Sequence, residues 1–221
     1  MSASPSEATP PAWPATLTWR AHDLRLMESV RVQLSGNRIK ANGRIVAGAT
    51  DAHPAFSASY DLVTDEAGAT KRLSLSVTLA ERDRQLSIAR DEENMWSITG
   101  HEGQSRGAYG GALDVDVVFS PFFNALPIRR TGIYIRGESV TVPVVYVTLP
   151  EFAVNPASIS YSSASDGIKV HSPVADTTIT VDENGFILDY PGLAERILSR
   201  RRLCRRRRAS RANPHRRSPP R

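Results

Sequence analysis

The sequence predicts a mainly β protein: a single antiparallel, curved sheet or spiral β-roll with one short C-terminal helix. Period-two alternation dominates. In 72–79, Leu73, Leu75, Val77 and Leu79 share one face, while Ser74, Ser76 and Thr78 share the other. That is the pattern of a strand with one buried and one wet face. Tight-turn chemistry separates such runs, at Ser35-Gly36-Asn37, Asp65-Glu66-Ala67-Gly68 and Glu183-Asn184-Gly185, where Gly and Asn tolerate positive φ. There is no strand–helix–strand rhythm, which excludes a doubly wound α/β architecture.

Further short strands are expected at 24–34, 38–46, 56–63, 85–88, 113–119, 142–149, 158–162, 168–171, 177–181 and 186–188. Ten or eleven of them at this spacing fit an antiparallel roll or barrel. Helix is scarce. The best candidate is 192–202, which follows Pro191 and carries Leu193, Ile197 and Leu198 at helical spacing. A single turn near 121–125 is a second. Gly103, Gly107, Gly110 and Gly111 mark 103–111 as a flexible loop.

The 221 residues divide into a Ser/Pro/Ala leader (1–14), a β domain (15–198) and a disordered tail (199–221). The tail holds eleven arginines and no acidic residue. Setting those aside leaves 17 of the 28 basic residues against 23 acidic ones, a net of −6 for 1–198. The basic pI of about 9.7 therefore belongs to the tail. Residues 200–221 offer nonspecific contact with nucleic acid or an anionic membrane, without the interleaved aromatics that base stacking needs. The leader lacks the basic start and apolar run of a signal peptide. No stretch approaches the roughly 18 apolar residues of a transmembrane helix, and Cys204 stands alone. A soluble, cytoplasmic protein is expected.

The five histidines are scattered without ligand spacing, so neither a metal nor a cofactor is expected. No G-x-S-x-G elbow, P-loop or G-x-G-x-x-G occurs.

The most informative segment is 110–130. On a strand, Asp114 and Asp116 share a face roughly 7 Å apart, opposite Leu113, Val115 and Val117. The chain then breaks at Ser120-Pro121 and runs through Asn124 and Pro127 into Arg129-Arg130. Three readings fit. The arginines can pair with the aspartates and pin a loop to the sheet. The polar cluster can line the mouth of an apolar pocket and read a hydroxyl-rich or anionic head group. Or the two carboxylates can act as a hydrolytic pair, since their spacing overlaps the lower end of the roughly 6.5–9.5 Å found in inverting glycosidases.

The run Leu113-Asp114-Val115-Asp116-Val117, with Ser120-Pro121 and Leu126-Pro127-Ile128-Arg129-Arg130, resembles the signature of the bacterial glycolipid-binding family. Other pieces follow in order: Trp19 to His22, Phe56 to Leu62, Trp96 to Gly100, Pro150-Glu151-Phe152, Ile159-Ser160-Tyr161, and Asp182 through Asp189-Tyr190-Pro191. The likeness runs from Trp19 to Ile197. Phe123 and Ala125 stand where the family carries small hydroxyl residues. The resemblance implies a spiral β-roll related in shape to periplasmic lipoprotein carriers. It also implies non-catalytic binding of a glycolipid or other acyl-chain ligand in an apolar cavity. Candidate head-group residues are Asp114, Asp116, Asn124, Arg129, Arg130, Tyr146, Tyr161 and Trp19. Candidate walls are Phe119, Phe122, Phe123, Ile128, Val145, Val147 and Phe152.

Overall fold

The computed structural model describes residues 13–22 and 25–197. The expectations for residues 1–12, for the 199–221 tail and for the far end of the 192–202 helix lie outside the described residues. The described chain forms one curved sheet of fifteen strands with two short helices, which is the β-roll class expected.

The strand order follows a simple path. β1 (Ala15–Ala21) starts near the middle of the sheet. β2 (Leu26–Ser35), β3 (Arg38–Ala47), β4 (Phe56–Thr64), β5 (Thr70–Thr78), β6 (Asp83–Arg90), β7 (Trp96–Gly100) and β8 (Gly103–Gly107) then meander outward to one edge. The chain crosses to the opposite edge as β9 (Asp114–Val117), followed by α1 (Pro121–Thr131) and α2 (Ile133–Arg136). It returns as β10 (Ser139–Val147), β11 (Val154–Ala164), β12 (Gly167–His171), β13 (Asp176–Val181), β14 (Ile187–Tyr190) and β15 (Ala194–Arg196), which lands beside β1. The three turns foreseen between runs join β2 to β3, β4 to β5 and β13 to β14, with Gly36, Gly68 and Gly185 at φ of +59°, +90° and +78°.

Several sequence expectations need correction. Residues 194–196 form a strand, not the first turn of a helix. Ala194–Arg196 lies between β1 and β14 and pairs antiparallel with both, so it satisfies backbone groups that a helix would leave open in the middle of the sheet. The sheet is not wholly antiparallel, because β9 and β10 pair in parallel and are joined by the α1–α2 crossover. Within the stretch read as a loop, Gly103–Gly107 is an edge strand on β7. Trp13, read as leader, packs on Phe186 with ring centroids 5.3 Å apart.

The segment read as a single turn is the eleven-residue helix α1, buried from Pro121 through Ile128. Pro121 stands in its first turn, where no N–H is needed. Pro127 lies inside it and lacks the N–H of a regular helical residue. Burial of Phe122, Phe123, Ala125, Leu126 and Ile128 outweighs that loss.

Two apolar cores result. The first holds the inward residues of β1–β7 with Phe122, Phe123, Val115, Val117, Val145 and Val147. The second holds Ile128, Ile133, Val142, Val144, Tyr146, Ile159, Tyr161, Ile168, Val170, Ile179, Ile187 and Tyr190. Their membership alternates along β9 and β10, so this parallel pair is a wall with both faces buried. Phe122 and Phe123, expected to line an open cavity, are fully buried and packed on Tyr60, with Phe122 also stacked on Phe186.

Candidate functional site

Alternation on β9 sends Val115 and Val117 into the first core and Asp114 and Asp116 toward the second. Both aspartates are buried, Asp114 completely. The two then diverge. Asp114 Oδ2 accepts from Arg130 Nε at 3.0 Å and Nη2 at 2.7 Å. Its carboxyl is nonetheless raised above the usual range, because burial outweighs the adjacent guanidinium. Among the described residues Asp116 has no cationic neighbour of this kind, and burial pushes it to about 7.

Tyr146 of β10 is the register partner of Asp116. Burial, with a further contribution from the negative field of Asp116, pushes its hydroxyl up to about 12. Tyr190 at the end of β14 is pushed to about 12 by the same two causes. Tyr161 lies deeper, and its hydroxyl donates to Asn124 Oδ1 at 3.2 Å. Six buried side-chain polar atoms among the described residues lack a hydrogen-bond partner. Three of them, Asp114 Oδ1, Asp116 Oδ1 and the Tyr146 hydroxyl, fall on neighbouring positions of β9 and β10. A buried polar atom without a partner costs roughly 1–3 kcal/mol, which makes these three atoms the candidates for contact with a further group.

The other candidates sit apart. Arg129 donates to the Asn184 carbonyl and lies over the Phe186 ring at 4.9 Å, holding α1 to the β13–β14 turn. Trp19 is fully buried in the first core, and its indole N–H donates to the Ile187 carbonyl at 2.9 Å. The structure thus brings Asp114, Asp116, Arg130 and Tyr146 together, with Asn124 and Tyr161 deeper and Trp19 and Arg129 elsewhere. Tyr190 is the member the sequence did not single out. Its position before Pro191 reads as the end of a strand, and only sheet closure carries it to the second core.

A third buried acid, Glu28, was not singled out in the sequence. Glu28 sits at the inward parity of β2, between Leu26 and Val30. Its Oε1 accepts from the Tyr60 hydroxyl at 2.7 Å and from Ser120 Oγ at 2.5 Å, and its Oε2 accepts from the Phe122 N–H at 3.3 Å. It thereby supplies the acceptor that an N-cap side chain usually provides to the first turn of α1. Burial dominates and holds its carboxyl at about 7.

A pH dependence follows. Glu28 and Asp116 bind protons more tightly folded than unfolded. Their stabilising contribution is full below about pH 4, where both states are protonated, and is lost as pH rises toward 7. Urea unfolding is expected to show stability falling between about pH 4.5 and 7, by a few kcal/mol in total. Glu28→Gln and Asp116→Asn are each expected to flatten that slope.

The described residues include two clefts that open to solvent. One of about 230 Å³ is floored by Leu86, Ile98, Tyr109, Phe152 and Val154 and rimmed by the β7–β8 hairpin. Val154 pairs with Val147, next to Tyr146. The other, about 590 Å³, is a wide polar groove including Lys40, Asn42, Asp61, Arg72 and Ser74. It lies on the outer face of β3–β5, away from the unmatched atoms of β9 and β10. We place the candidate site at those atoms, since groove volume on a hydrated sheet face carries no chemistry of its own. Among the described residues, no group of three or more His, Cys, Asp or Glu is arranged to hold a metal ion, and no helix is long and apolar enough to cross a membrane.

Comparison with known proteins gives a consistent picture. The family model described as "Putative glycolipid-binding" matches residues 16–196. No curated protein matches. Among solved structures, a DUF1089 family protein from Pseudomonas aeruginosa superposes with a TM-score of 0.62. It shares 22% identity, over 77% of this chain and 92% of its own. At that identity the likeness shows the fold alone.

Proposed function

Because the chain belongs to the family described as putative glycolipid-binding, we propose that it binds a glycolipid or another acyl-chain ligand without transforming it. The observation that carries this reading is the convergence of unmatched Asp116 Oδ1 and the Tyr146 hydroxyl in an otherwise apolar wall. Polar atoms left so are satisfied when a ligand arrives with its own donors and acceptors. Apolar surface open to solvent is offered separately by the cleft floored by Leu86, Ile98, Phe152 and Val154, which lies on the first-core face of the β9–β10 wall, opposite the face that carries Tyr146. Each methylene buried there contributes roughly 0.8 kcal/mol. Hydrolysis by an Asp114/Asp116 pair is disfavoured, because Arg130 already engages Asp114 and a glycosidase needs two carboxylates free to act.

Native mass spectrometry of protein purified from its own cells is expected to show a co-purifying lipid mass. Adding glycolipid to stripped protein is expected to raise Tm by mass action. A bare protein with an unmoved Tm across a glycolipid panel overturns the proposal.

A further inference from the structure

Independently of what the protein carries, we infer that the outer face of β2–β5 docks it on an anionic lipid surface. Alternation along these strands turns Arg31, Lys40, Arg44 and Arg72 outward, and all four are exposed. Among the described residues, none of the four lies within ion-pair distance of a carboxylate. The register gives them uncharged neighbours: Arg44 stands between Ser29 and Ser59, Lys40 between Gln33 and Val63, and Arg72 between Val63 and Ala89. A solvated sheet gains stability by placing opposite charges across such pairs, and this face forgoes that gain. Its one acid on the four strands, Asp61, is bonded by Asn42. Residues 1–198 carry a net charge of −6, so the face concentrates positive charge against the balance of its own domain. The polar groove of about 590 Å³ lies here, with Lys40 and Arg72 in its wall.

Charge alone does not choose between a lipid surface and another polyanion, but two further features do. Met27 and Val46 are register partners on β2 and β3, and they are 47% and 58% exposed. Val46 shares its face with Arg44, two positions along β3. Exposed apolar side chains set beside cations suit the boundary between charged head groups and acyl chains, where each contributes. Nucleic acid would gain nothing from that apolar pair. The outward positions of β2–β5 also carry no aromatic ring on which a base could stack. Between the cations the face is filled by short side chains, such as Ser57, Ser59, Ser74 and Ser76, which leave the guanidinium and ammonium groups free to reach a plane of phosphates.

The test uses the full chain, with its arginine-rich tail present throughout, and reads the face itself. Val46→Cys in a Cys204→Ser background is labelled with an environment-sensitive fluorophore. The control carries the same label through Val174→Cys, between β12 and β13, a position 71% exposed. The probes are vesicles of phosphatidylcholine alone or mixed with phosphatidylglycerol. Emission at position 46 is expected to shift to the blue on the mixed vesicles only, and to return on adding salt. Emission at position 174 is expected to stay unchanged. Lys40→Gln and Arg44→Gln, placed in the labelled background, are each expected to raise the lipid concentration for half the shift about fivefold. Both replace exposed side chains without a carboxylate partner, so Tm is expected to hold. Vesicle binding with an unmoved signal at position 46 overturns the inference, because the tail alone then holds the protein. So does an equal shift on phosphatidylcholine alone, a shift that survives both charge variants, or an equal shift with duplex DNA, which would make the face a general polyanion site. Absence of binding to the mixed vesicles overturns it as well.

Discussion

Gly43→Ala is expected to destabilise the protein by about 3 kcal/mol or more, a fall in Tm of roughly 10 °C for a domain of this size. Gly43 on β3 is the register partner of Tyr60 on β4. The tyrosine ring lies across the glycine, so an added Cβ meets Tyr60 Cζ at 2.1 Å and its hydroxyl oxygen at 2.4 Å. Neither atom can retreat cheaply, because the ring is packed on Phe122 and Phe123 and its hydroxyl donates to Glu28. Relieving the clash breaks a hydrogen bond to a buried acid that also holds the start of α1. Overpacking alone accounts for about 1–3 kcal/mol, and losing a hydrogen bond to an ionisable acceptor adds about 1.5–3. Gly36→Ala provides the contrast. Its φ of +59° costs some backbone strain, but nothing lies within 4 Å of the new methyl, so about 1 kcal/mol is expected. Chemical denaturation of Gly43→Ala, Tyr60→Ala and the double variant decides the cause. If the two losses simply add, ring–glycine contact is not the reason.

Much of this arrangement was legible in the sequence, and the rest was hidden for identifiable reasons. The meander from β2 to β6 follows from alternation, because each strand there has one wet face and so writes its parity plainly. β9 was legible as a strand carrying two aspartates on one face. Glu28 was written in the same code: it occupies an apolar parity on β2, and Tyr60 does so on β4. What no local pattern carries is the closure of the sheet. β15 is three residues long, too short for periodicity to separate strand from helix, and its partners on β1 lie more than 170 residues away. The same closure sets the fate of Trp19, whose hydrogen-bond acceptor, Ile187, is 168 residues distant. α1 was obscured by Asn124 and Pro127, both poor residues for a helix interior, because tertiary burial overrides propensity.

Arg130→Met is expected to cost about 3–5 kcal/mol at pH 7, the range typical of stranding one partner of a buried ion pair. Arg130 directs two N–H groups onto one oxygen of an aspartate that has no solvent exposure. Even with that partner, burial keeps the Asp114 carboxyl above its usual range. Without it, the folded-state affinity of Asp114 for a proton rises further, while the unfolded value stays near 4. The added penalty is therefore absent below about pH 4, where the acid is protonated in both states, and grows as pH rises toward the new folded value. The loss measured by urea unfolding is expected to be small near pH 4 and full near pH 7. Asp114→Asn in the Arg130→Met background removes the charge that was stranded, and most of the lost stability is expected to return. A loss that is flat with pH and unrelieved by Asp114→Asn would show that Arg130 acts through packing of its aliphatic stem, not through the ion pair.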